Sequence, residues 1–143
     1  MASTLKINTL TGVTTAGSIA VTGEGNSTTT NLQQGLCKAW ALLDLDNSTP
    51  ANFDSFNLGS VTDNGTADMT QNLTNNMGSA SYAHAGFPMA QGSGVQARSV
   101  SGASSFPTSS AVRHVYGYPS STGGQATAYE DTQAYLMVQG DLA

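Results

Sequence analysis

From Leu36 to the end of the chain, apolar and polar residues alternate with a period of two in run after run. That spacing puts successive side chains on opposite faces of an extended strand, so the pattern predicts strands rather than helices. The run Leu36-Cys37-Lys38-Ala39-Trp40-Ala41-Leu42-Leu43-Asp44-Leu45 has the composition of a helix as well. It is read as a strand because every neighbouring segment is strand-like, with Leu36, Lys38, Trp40 and Leu42 expected on one face. Phe53 to Thr62 and Ala67 to Thr74 then form a hairpin around Asp63-Asn64-Gly65-Thr66, because Asn-Gly suits the positive φ angles of a type I′ turn. Val61 falls out of step with Phe56 and Leu58, which marks Gly59 as a bulge. Further strands are expected at Ala80 to Phe87, with Pro88 limiting the run, at Val95 to Val100, at Ser110 to Tyr118 and at Tyr129 to Gly140. In the last of these, Leu136 and Val138 oppose Tyr135 and Met137.

The front of the chain is thinner. Leu5, Ile7, Val13, Ile19 and Val21 are spaced by Ser, Thr, Asn and Gly, and three such short strands bury too little surface to stand alone. The chain is therefore divided into an N-terminal β arm, residues 1–34, for attachment or trimerisation, and a domain of seven or eight strands, residues 35–143. The expected fold class is all-β, a β-sandwich or jelly-roll-like domain behind an arm that makes sense if identical copies intertwine or if it lies on another protein.

Composition narrows the function. Hydrophobic residues make up 38% of the 143 residues and charged residues only 9%, the remainder being rich in Ser, Thr, Asn, Gln and Gly. Whole-chain disorder normally goes with high net charge and few aromatics, and here the net charge is −5 with aromatics set in patterned runs. Lys6, Lys38, Arg98 and Arg113 are too few and scattered to neutralise a row of phosphates, so nucleic acid is not expected as a partner. One cysteine, Cys37, allows no internal disulfide and reads as a small apolar side chain. The opening Met-Ala-Ser-Thr-Leu-Lys has no signal-peptide character and no run reaches the length of a membrane span. Synthesis in a cytoplasm without membrane insertion is the expectation.

The search for chemistry finds little. Asp44 and Asp46 could face one way on a strand, while Glu130 and Asp131 would face opposite ways, and carboxylates beside turns more often cap backbone amides than catalyse. His84 and His114 lack any recognised ligand spacing; they read as hydrogen-bonded in or beside the core, the alternative being a metal held between subunits at a threefold axis. There is no nucleophile elbow, and Gly92-Ser93-Gly94 is not a phosphate loop. No enzyme activity and no cofactor are expected. Trp40, Tyr82, Tyr116, Tyr118 and Tyr129 suit the core, the alternative being stacking on a sugar. For such a recognition surface the candidates are Tyr116 and Tyr118 with Ser120, Ser121 and Thr122 of the following polar loop.

Four stretches carry a resemblance. They are Met1 to Leu10, Gly35-Leu36-Cys37-Lys38-Ala39-Trp40, the run Asp54 to Asp68, and the Tyr82-centred strand after Asn75-Asn76-Met77. In their order and spacing the chain resembles short virion proteins of the tail-fibre and structural class, seen especially in marine phages. The likeness covers residues 1 to about 90 and only loosely the remainder. It implies a place on the exterior of a virion and a homotrimer, and it carries over no catalytic residue. The expected function is a fibre or fibre tip contacting the host, held to other virion proteins through the arm and meeting a surface glycan or receptor. A capsid decoration protein is the alternative.

Overall fold

A computed structural model describes residues 4–12, 19–23, 28–45, 51–89, 99–102, 107–118, 127–128 and 132–142. The chain is all-β; among the described residues the sheets are antiparallel and there is one short helical turn. Its backbone contacts divide it into two units, Met1–Leu36 and Cys37–Ala143.

In the first unit, β1 (Ala20–Thr22) pairs antiparallel with β2 (Thr29–Asn31), and α1 (Leu32–Gly35) follows. The Asn31 side chain caps that turn by accepting a hydrogen bond from the Gln34 N–H at 3.1 Å. None of the described residues of this unit is buried.

The second unit holds β3 (Cys37–Asp44), β4 (Ala51–Phe56), β5 (Leu58–Gly65), β6 (Asp68–Leu73), β7 (Ala83–Met89), β8 (Ser99–Gly102), β9 (Ala111–Tyr118), β10 (Thr127–Ala128) and β11 (Gln133–Gln139). One sheet has the order β4-β3-β11-β7; the other runs β10-β9-β6-β5, with β8 also on β9. One buried cluster draws on both. Ala39, Ala41, Leu43, Ala134, Leu136 and Val138 come from the first sheet, and Met69, Leu73, Val112 and Tyr116 from the second. The alternation expected in the last strand is present: Ala134, Leu136 and Val138 point inward, Tyr135 and Met137 outward.

Four local expectations change. The strand expected from Phe53 to Thr62 breaks at Asn57, where φ is 59° and the chain passes from one sheet to the other. Asn tolerates that left-handed conformation, and its side chain anchors the corner. Its Nδ2 donates to the carbonyls of Lys38 (3.0 Å) and Asn75 (3.1 Å), and its Oδ1 accepts from the Asn75 N–H (2.6 Å). The hairpin β5–β6 exists, but Gly65 pairs with Asp68, so Thr66 and Ala67 are its loop. Gly65 (φ 130°) and Ala67 (φ 56°) take the positive angles, while Asn64 is set aside in a bulge and donates to Thr70 Oγ1 at 2.9 Å. The bulge at Gly59 stands where it was expected.

The third change concerns β3. Its register on β11 skips Lys38, and this bulge turns both Lys38 and Ala39 inward, at 4% and 0% exposure. Trp40 and Leu42 therefore point away from the core, and Lys38 does not share their face. Ala39, Ala41 and Leu43 fill the position expected for the tryptophan. Pro88 does not end β7, because that strand is the edge of its sheet, where a missing N–H costs no ladder bond.

Candidate interaction face and buried polar cluster

Strand register places side chains across the first sheet in rows. On the face turned away from the core, one row reads Ala85, Met137, Trp40, Phe56 and the next Phe87, Tyr135, Leu42, Asp54. A third reads Met89, Gln133, Asp44, Ala51. Phe87 is 66% exposed, and Phe56, Met137, Tyr135, Trp40 and Met89 range from 51% to 40%. Between the ridges lies an apolar depression of about 460 Å³ whose floor includes Cys37, Leu42 and Ala85. An open sheet face of an antiparallel sheet is ordinarily polar. Here both faces of β3 and β11 are apolar, as in strands covered on two sides.

Inside, β7, β6 and β9 bring polar groups together. His84 Nδ1 lies 3.0 Å from His114 Nε2. A single proton between two such nitrogens lets one ring donate and the other accept, whereas two fully protonated rings would set donor against donor. Burial, and then the nearby His84, lower the His114 pKa to about 4, and burial also lowers that of His84. The Tyr116 phenol is pushed upward by burial, with the Gln71 amide opposing, and Tyr82 is pushed up to about 12. Tyr82 donates from its hydroxyl to the carbonyls of Thr108 (2.8 Å) and Ala111 (3.0 Å). The Gln71 amide, His114 Nδ1 and Tyr116 hydroxyl are buried without a hydrogen bond of good geometry among the described residues. Gly86 closes over them: a Cβ there would stand 3.3 Å from His114 and 3.4 Å from the Tyr116 oxygen.

Of the recognition residues expected from the sequence, Tyr116 alone has a described side chain. Tyr116 is fully buried, because the alternation that carries Val112 and His114 inward carries it inward too, so it is a core residue. Tyr118 ends β9, and Ser120, Ser121 and Thr122 lie outside the described residues. His114, at 2% exposure and against His84 of the same chain, is a core histidine. Among the described residues no group of three or more His, Cys, Asp or Glu is placed to hold a metal. Asp44 ends β3 and Asp46 lies outside the described residues, as do Glu130 and Asp131.

The chain matches no protein-family model, no curated protein and no solved structure. What the described residues offer is an exposed apolar surface. The signal for that surface was present in the sequence as strands apolar on both faces: Trp40 and Leu42 against Ala39, Ala41 and Leu43, and Tyr135 and Met137 against Leu136 and Val138.

Among the described residues no helix is long and apolar enough to cross a membrane.

Proposed function

We propose that this chain is a non-enzymatic structural protein of a bacteriophage particle, a fibre or fibre tip that works as a homotrimer and contacts the host surface. The two large sheets form a β-sandwich, and the N-terminal unit is an arm that attaches to neighbouring virion proteins. The observation that carries this reading is the character of that unit. Leu5, Ile7, Leu10 and Val21 are 78%, 50%, 53% and 51% exposed, and no described residue there is buried. A segment with apolar side chains and no core of its own gains stability by lying on other subunits. Low charge and many hydroxyl and amide side chains suit a particle exterior, and repeated copies multiply weak host contacts by avidity.

Capsid decoration fits an arm and a small domain equally, so position on the particle is the test. Antibody labelling of intact virions, or a density map of the particle, places a fibre at tail sites in few copies. Label spread over the head in many copies, with host adsorption unaffected by the purified protein, would assign it to decoration. Absence from the particle would end both.

A further inference from the structure

We infer that the exposed aromatic face of the β4-β3-β11-β7 sheet is where copies of this chain meet, face against like face. The inference rests on the self-assembly reading above and adds to it a pairwise contact distinct from the threefold one. If a fully exposed large side chain presents about 200 Å², then Trp40, Phe56, Phe87, Met89, Tyr135 and Met137 leave roughly 600 Å² of apolar surface in water. That is at the top of the range for the largest patch on a monomer, about 300–600 Å². It also approaches the ~800 Å² that each partner brings to a standard interface once a rim is added. Gln133 and Gln139, at the two ends of β11, supply such a polar rim.

The chemistry selects a second copy as the occupant. The two central strands present Trp40, Leu42, Tyr135 and Met137, with no charge among them. Asp54 stands on the edge strand and Asp44 in the outermost row, so two such faces can meet with their carboxylates at the margin and no like charges opposed. Sheet faces stack about 10 Å apart with side chains interdigitating. The depression between Trp40 and Phe87 is open to a ridge of the same kind from a sister subunit. Each copy brings one such face, so the contact closes as a pair about a twofold axis, separate from the threefold contact that a homotrimer needs. A sugar platform would instead need hydrogen-bonding groups around the stacking rings, and the lining of this depression is almost wholly apolar.

The test uses the full chain, its only tryptophan being Trp40. Sedimentation velocity over a wide concentration range is expected to show an oligomer that dissociates on dilution, with Trp40 emission moving to longer wavelength and becoming open to acrylamide quenching as it does so. Met137→Glu, a charge at the centre of the face, is expected to weaken association at least ~100-fold while leaving the β circular dichroism unchanged. Thr70→Glu, on the second sheet, is expected to leave association unchanged. An oligomer in which Trp40 stays fully quenchable, or which Met137→Glu leaves intact, would overturn the assignment of this face and leave self-assembly standing through the arm. A chain monomeric at every concentration would overturn both. Loss of Trp40 protection in a Leu5→Ser, Ile7→Ser double variant would mean that an arm covers the face and would overturn the contact of like faces. Protection of Trp40 in a monomer only on adding a polysaccharide of the host surface would do the same in favour of a sugar.

Discussion

The two large sheets of this protein share one core and differ in what they show to water. On the β10-β9-β6-β5 sheet, polar side chains satisfy one another across the strands. Asn72 donates to Ser60 Oγ and Thr62 Oγ1, each at 3.1 Å. Arg113 grips Asp68 through two hydrogen bonds, of 2.7 and 2.5 Å, and holds its carboxyl below the ordinary carboxylate range. On the β4-β3-β11-β7 sheet the corresponding positions are Trp40, Leu42, Tyr135, Met137 and Phe87. Apolar residues scattered over a surface are ordinary, but a continuous patch of them is not. The first of these surfaces pairs its polar groups with one another, and the second leaves large apolar side chains in water.

The comparison breaks most sharply if the shared core is not shared. Leu43→Ala, which removes a fully buried side chain of the apolar-faced sheet, is expected to cost about 2–5 kcal/mol in chemical unfolding. It should do so equally whether the chain is dilute or concentrated. A cost that vanishes on dilution would mean that this sheet is ordered only by association.

Next in size is the histidine pair that joins the two sheets. With the His114 pKa at about 4 in the folded protein and about 6.5 unfolded, folding excludes a proton. The stabilisation is complete above about pH 6.5, falls as pH drops from there to about 4, and levels off below. The span is worth roughly 3 kcal/mol, with His84, also lowered, adding in the same direction. Urea unfolding midpoints measured from pH 7 to 4 check it, and His114→Asn should flatten the slope.

Asn57 tests the corner between the sheets. Asn57→Ala removes three hydrogen bonds and puts a residue less suited to φ 59° in their place, for an expected loss of about 2 kcal/mol in thermal unfolding. Asn57→Gly relieves the backbone part and should recover some of it. The smallest effect belongs to the polar face. Asn72→Ala gives up two exposed hydrogen bonds, and a change of about 0.5 kcal/mol or less is expected, with no effect on association. Association that responded to Asn72→Ala would show that the polar sheet also meets a partner.

Local alternation and turn chemistry determined much of this protein from sequence alone. They fixed strand identity for β3, β9 and β11, the bulge at Gly59 and the presence of the β5–β6 hairpin, because each depends on side chains a few residues apart. Tertiary structure decided which face of each strand is the core. The bulge at Lys38 turned Trp40 outward, and Tyr116, which alternation alone placed with Val112 and His114, went inward because that whole face packs on the other sheet. It also decided that Asn57 ends one strand and that His84 meets His114 across the core. A period of two assigns residues to two sides without saying which side is covered. Only the packing of one sheet on another chooses, and it left one apolar side open.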